Sequence, residues 1–223
     1  MKYPNIIFDL DGTLIDSSDG VVEAVNYSLR MMGESEQPAE KIKPFIGYPL
    51  SRMYQSFTDV PVKQLYRHFQ TKASETVVSS TTMLAGVAEI LERLSQDGYQ
   101  LGIASTKIRV HIDGIVSAFD WSDRFVAVAG GDEVDQVKPA PHIMLLMIGR
   151  MNATADNTLV VGDTENDVLA AHAAGLPAIG VRSPYGCEDR MRAAQPDWFI
   201  DSISTLTTLL RDIEKHNDKS TQG

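Results

Sequence analysis

The sequence predicts an α/β protein: a doubly wound, mostly parallel sheet with a helical segment inserted after its first strand. Three observations carry this expectation. Short, unbroken apolar runs recur along the chain, and such runs suit strands covered on both faces. Stretches with apolar residues at helical spacing lie between them, which gives the βαβ alternation of a parallel sheet. One early stretch, residues 16–82, breaks that alternation and shows helical stripes only.

Asn5-Ile6-Ile7-Phe8 reads as the first strand. In the insert, Val21, Val25, Ser28, Leu29 and Met32 form one helical stripe, closed by Gly33; Val62, Leu65, Tyr66, Phe69 and Ala73 form another. Its ends, Asp16-Ser17-Ser18-Asp19 and Ser79-Ser80-Thr81-Thr82, are polar and read as hinges. Val87, Ile90, Leu91 and Leu94 then mark a helix stopped by Gly98. Leu101-Gly102-Ile103-Ala104 and Phe125-Val126-Ala127-Val128-Ala129 are the next strands. Ile143, Leu146, Met147 and Arg150 lie on a helix opened by Pro139 or Pro141. Thr158-Leu159-Val160-Val161 leads into a helix over 164–174, with Thr164 as its N-cap and Gly175 past its end. Ala178-Ile179-Gly180-Val181 and a short edge strand, Trp198-Phe199-Ile200, complete the sheet. The expected division is a core of residues 1–15 and 83–214, a helical cap over 16–82 and a polar, frayed tail over 215–223.

Bulk properties narrow the function. A chain of 223 residues suits one large domain, alone or with a smaller insert. The formal net charge of -10, with no Lys/Arg cluster, argues against a nucleic-acid partner. No apolar run approaches the roughly 20 residues that span a bilayer, and the N-terminus lacks a secretory pattern. Cys187, the single cysteine, has no internal partner, so a reducing, cytoplasmic setting is expected. A small anionic substrate remains compatible with the charge, because a metal and a lysine can set the local field. The chain is expected to act as a monomer or small homo-oligomer.

In an open α/β sheet, ligands bind beyond the carboxyl ends of the strands. Asp9 and Asp11 come after the first strand, and their i, i+2 spacing puts both carboxylates on one side. One can attack phosphorus while the other handles the leaving-group proton; an idle acidic turn is the alternative. Gly12 permits a sharp exit. Ser105 comes after the second strand as either a phosphate donor or a helix N-cap, and Lys107 beside it either adds charge or reads as solvated or as a support behind the residues that touch phosphate. Lys138, in Lys138-Pro139-Ala140-Pro141, can balance charge between phosphate and nucleophile. Asp163 can join Asp9 in holding Mg²⁺, which prefers one or two carboxylates plus waters and phosphate. Asp167 reads either as support for the metal or as a capping acid. Glu165 and Asn166 are weaker candidates.

Four motifs taken together resemble those of the haloacid dehalogenase superfamily, in its phosphoglycolate-phosphatase-like branch. They are Asp9-Leu10-Asp11-Gly12-Thr13, Ser105-Thr106-Lys107, Lys138-Pro139 and Gly162-Asp163-Thr164-Glu165-Asn166-Asp167, in that order. The resemblance implies a Mg²⁺-dependent phosphatase in which Asp9 forms an aspartyl-phosphate and Asp11 is the general acid/base. It implies that Ser105 and Lys138 bind the phosphoryl group. Mg²⁺ would be held by Asp9, the Asp11 backbone carbonyl and Asp163, supported by Asp167. Asp11 sets dehalogenase and phosphonate-cleaving chemistry aside and leaves a phosphatase of small phosphorylated metabolites or a phosphosugar mutase. A non-catalytic binding protein on the same fold is the third reading. The insert is similar to the family's helical cap, and Phe45-Ile46-Gly47-Tyr48-Pro49-Leu50 resembles its substrate loop. Arg52, Lys43 and Tyr48 are the polar groups near it, and Arg52 or Lys43 is expected to read a second anionic group, as on phosphoglycolate. His142 stands where relatives carry an acid that supports the loop lysine.

Overall fold

The computed structural model describes residues 1–220, the last four by backbone alone. The chain begins with β1 (Asn5–Phe8), then β2 (Ile15–Asp16). Four helices come next: α1 (Ser18–Met31), α2 (Ala39–Ile42), α3 (Leu50–Tyr54) and α4 (Val62–Thr76). After them come β3 (Thr82–Met83), α5 (Val87–Gln96), β4 (Gln100–Ala104), α6 (Arg109–Ala118) and β5 (Phe125–Ala129). The remainder runs α7 (His142–Arg150), β6 (Thr158–Gly162), α8 (Glu165–Ala173), β7 (Ala178–Val181), α9 (Glu188–Ala193), β8 (Trp198–Ile200) and α10 (Leu206–Ser220).

Six strands form one parallel sheet in the order β5-β4-β1-β6-β7-β8. The chain starts in the middle, winds outward to β5, and returns to β6 on the other side of β1. β1 and β6 therefore flank the point where the winding reverses, where such sheets open a crevice. The Asp9 N–H donates to the Val161 carbonyl at 2.8 Å, so the pairing continues one residue past β1.

Strand alternation sorts the core into two layers. Ile6 and Phe8 of β1, with Leu159 and Val161 of β6, pack against α5, α6 and α10. Ile7 and Val160 face the other way, against α7, α8 and Met191 of α9. Val87, Ile90, Leu91 and Leu94 of α5 are all buried, as their spacing predicts. Fully burying such a side chain contributes about 1.5–3 kcal/mol. The helices between β2 and β3 keep an apolar core of their own, in which Val21, Val25 and Leu29 of α1 meet Leu65, Phe69 and Ala73 of α4.

Three details differ from the sequence reading. The insert is framed by an antiparallel ribbon that pairs Ile15 with Met83 and Asp16 with Thr82. Two-residue strands carry no readable periodicity. Tyr66 leaves the buried stripe of α4 and lines a cavity instead, because it sits a quarter-turn from Leu65 and Phe69. The tail expected to fray from Lys215 continues as α10 to Ser220, helped by a Lys215–Asp212 pair at 2.9 Å. Residues 221–223 lie outside the described residues. Among the described residues, no helix is long and apolar enough to cross a membrane.

Candidate active site

The carboxyl ends of β1, β4 and β6 converge at the crevice, and each delivers the residue type that its sequence suggests. Asp9 leaves β1 and Asp163 leaves β6; both are nearly fully buried. Oxygen atoms of Asp9, Asp163 and Asp167 lie within 4.8 Å of one another. Gly12 makes this approach possible. Its φ of +89° is a left-handed conformation, and a Cβ there would sit 2.2 Å from Asp163 Oδ2.

Lys138 reaches into this acidic group from the loop before α7. Its Nζ donates to Asp9 Oδ1 at 2.7 Å, to Asp167 Oδ1 at 2.6 Å and to the Ala104 carbonyl at 2.7 Å. Three donors thus meet three acceptors, and the lysine is 1% exposed. Burial opposes its charge, but the ion pairs with Asp167 and Asp9 outweigh burial and hold its pKa above the ordinary value. The acid missing at position 142 is not needed for this, because Asp167 anchors the lysine. His142 stands half-buried at the start of α7.

Asp167 serves two partners at once. Its Oδ2 accepts from the Thr164 N–H at 3.0 Å and the Thr164 hydroxyl at 2.8 Å. The capping geometry and the lysine anchor are therefore one arrangement, which occupies both carboxylate oxygens.

Asp9 and Asp163 are different. Asp9 Oδ2 and Asp163 Oδ2 are buried with no hydrogen-bond partner. Burial first, then the neighbouring carboxylates of Asp167 and Asp11, push the Asp9 carboxyl up to about 7, despite Lys138. Burial and the charges of Asp9 and Asp167 push Asp163 well above the usual carboxylate range. Two unpartnered, buried carboxylate oxygens in a cluster of three acids against one lysine fit a hard divalent cation such as Mg²⁺.

Asp11 is not one of these three acids and lines a cavity of about 260 Å³ below the insert helices. Its Oδ1 accepts from the Ser17 hydroxyl. Its Oδ2 pairs with Lys107 Nζ at 3.3 Å. Lys107 is therefore not a solvated side chain: it is 9% exposed. Sequence reasoning missed this pair, because the contact depends on a long stem reaching across from β4. Ser105 is 1% exposed, and its Oγ accepts from the Lys107 N–H at 3.2 Å. It is not the N-cap of α6, whose cap is Ile108.

Of the three insert candidates, Tyr48 alone lines the cavity. Its hydroxyl donates to Glu165 Oε2 across the crevice, and the guanidinium groups of Arg52 and Arg190 lie 4.2 Å and 5.5 Å from its ring centroid. Glu165 is thus engaged rather than solvated; it also pairs with Arg190 at 3.4 Å. Arg52 is exposed and occupied with the Tyr48 ring, and Lys43 lies 3.9 Å from Asp19. Sequence reasoning missed Tyr185 as well. It lies just past β7 and packs against the insert core, and its phenol is pushed up by burial and the charges of Asp11 and Asp163. Its position beyond the carboxyl end of a strand, shared with Asp9, Ser105 and Asp163, is the signal that could have found it.

The arrangement, buried acids and a lysine at the switch of a doubly wound sheet with helices above, defines a class of hydrolase. The sequence profile described as Haloacid dehalogenase-like hydrolase matches residues 6–181. The chain belongs to that family and is a phosphoglycolate-phosphatase-like hydrolase within it. A Dickeya dadantii protein named "Probable phosphatase IndB" is 34% identical over 91% of this chain and 91% of its own length. A phosphoglycolate phosphatase of Haemophilus influenzae is 28% identical over 94% of this chain and 99% of its own length. The crystal structure of a protein from Bacteroides fragilis described as a haloacid dehalogenase-like hydrolase superposes with a TM-score of 0.86, at 29% identity, over 92% of this chain and 100% of that one.

Proposed function

We propose that the protein is a Mg²⁺-dependent phosphatase that hydrolyses a small phosphomonoester through a phosphorylated Asp9. The observation that carries this reading is the pair of unpartnered oxygens, Asp9 Oδ2 and Asp163 Oδ2, next to a lysine fixed on the other oxygen of Asp9. Asp9, Asp163 and the Asp11 backbone carbonyl would hold the ion, with Asp167 acting through Lys138 rather than as a direct ligand. When bound, the ion neutralises phosphate charge and orients the ester.

The chain's own residues do the rest. An Asp9 carboxylate oxygen forms a bond to phosphorus as the bond from phosphorus to the ester oxygen breaks. Asp11 gives its proton to the departing alkoxide. Asp11, now a carboxylate, then takes a proton from water as that water attacks phosphorus, and the bond to Asp9 breaks to release phosphate. Asp11 suits both roles because it lines the cavity and is not one of the three clustered acids. Lys138 and Ser105 offset and donate to the equatorial oxygens, the electrostatic task of such sites. Residues 16–82 act as a cap that excludes water. The molecule works in the cytoplasm on a phosphorylated metabolite, with no nucleic-acid or membrane partner, as a monomer or small homo-oligomer.

Asp9→Asn should reduce Mg²⁺-dependent phosphate release to background and abolish acid-stable labelling from a radioactive substrate. Labelling that persists in this variant would refute the nucleophile. Release of phosphate, rather than of an isomerised phosphoester, separates this reading from a mutase.

A further inference from the structure

The cavity that receives the leaving group has a composition that the site chemistry does not require. Asp11 and Lys107 lie at its inner end and pair with each other. Beyond them the walls are mostly apolar, with Leu50 and Met53 from α3 and Phe69 and Val77 from α4 and its C-terminus, interrupted by Gln70, Thr106 and His111. Its formally charged lining residues are two carboxylates, Asp11 and Asp132, against one ammonium, Lys107. The cations expected to read a second anion stand elsewhere, Arg52 on the Tyr48 ring and Lys43 near Asp19, and neither lines the cavity.

These facts conflict with a two-carbon, carboxylate-bearing leaving group. A carboxylate there would meet a single ammonium, Lys107, which it would have to share with Asp11, while Asp132 adds a second carboxylate at the exposed rim. Unpaired charge in a low-dielectric space is costly. A leaving group that small would also leave most of the roughly 260 Å³ unfilled. Apolar walls gain free energy only from a ligand that covers them.

Resting on the phosphatase reading above, we propose that the preferred substrate is the phosphate monoester of an uncharged alcohol carrying an apolar or aromatic body, and that phosphoglycolate is a poor substrate. The phosphoryl group sits at Asp9, the ester oxygen near Asp11, and the body of the alcohol against Leu50, Met53 and Phe69. Specificity then comes from covering apolar surface, not from reading a second charge.

The test is a homologous series of straight-chain alkyl phosphates, from ethyl to hexyl, assayed with Mg²⁺ beside phosphoglycolate. The alkanols have nearly the same acidity, so the chemical step is constant and only burial changes. The value of kcat/KM should rise about fourfold for each methylene that reaches the apolar wall. Hexyl phosphate should exceed phosphoglycolate by at least about tenfold. Leu50→Asn, at the half-buried start of α3, should flatten the chain-length dependence while circular dichroism shows the fold retained. A flat series in the wild-type protein, or phosphoglycolate as the best ester, overturns the proposal while leaving the phosphatase reading intact. Failure of the phosphatase reading looks different: no ester releases phosphate and Asp9 takes no label.

Discussion

Lys138 is held on three acceptors in a site where it is the single cation among three buried acids. Removing one partner of a buried ion pair costs about 3–5 kcal/mol, because the charge left behind stays buried. Lys138→Met should therefore destabilise the metal-free protein by about that amount in urea unfolding, and Mg²⁺ should restore a part of the loss. No change on adding Mg²⁺ would argue against a cation site at Asp9 and Asp163. The same cluster sets a pH dependence. Burial, chiefly, raises the Asp9 carboxyl from 3.8 to about 7, so the folded protein binds that proton more tightly than the unfolded chain does. Raising the pH from about 4 to about 7 should then lower the stability of the metal-free fold, with no further loss from this group above that. Mg²⁺ competes with the proton, so its affinity should climb over the same interval. Thermal unfolding with and without Mg²⁺ at about pH 5 and about pH 8 checks both; a larger Mg²⁺-induced rise in Tm at the lower pH would contradict them. Asp9, Asp163 and Lys138 were legible in the sequence because strand ends announce them. The Lys107–Asp11 pair was not, since neither residue's local pattern records the other.

Two elements place the site, and one substitution probes each. In the loop after β1, Gly12→Ala would press a Cβ on Asp163 Oδ2 and force a left-handed backbone on alanine. It should weaken Mg²⁺ binding by tenfold or more in calorimetric titration. In the loop before α3, Tyr48 spans from the insert to Glu165 of α8. A hydrogen bond to a charged group is worth about 1.5–3 kcal/mol. Tyr48→Phe should therefore lower kcat/KM by roughly tenfold while global unfolding shifts little; unchanged kinetics would mean the bridge has no part in closure. The strands of the sheet were readable because burial on both faces makes them continuous apolar runs. The β2–β3 ribbon was not, because its two-residue strands are defined by pairing with each other rather than by any pattern of their own.

At the scale of the molecule, the apolar core of the insert is separate from the two layers that cover the sheet. That separation gives a whole-molecule prediction. Replacing residues 17–81 by Asn-Gly joins Asp16 to Thr82 through the two-residue turn that suits an antiparallel pair. The shortened chain should still unfold cooperatively and bind Mg²⁺, but lose any dependence of turnover on the size of the leaving group. Failure to fold would mean that the helices between the ribbon strands are part of the core's stability.

The ribbon has one more consequence. The chain leaves the sheet along β2 and returns along β3, and the two paths are tied by the Ile15–Met83 and Asp16–Thr82 pairing and by the Leu84 N–H to the Leu14 carbonyl at 3.1 Å. Two separate tethers would let the helices above them slide, tilt and lift independently. Two tethers bonded into one strip resist stretching and shear but still twist. On the reading of residues 16–82 as a cap, the strip would favour a swing about its own axis over sliding, and each return would carry Tyr48 back to the same place over Glu165.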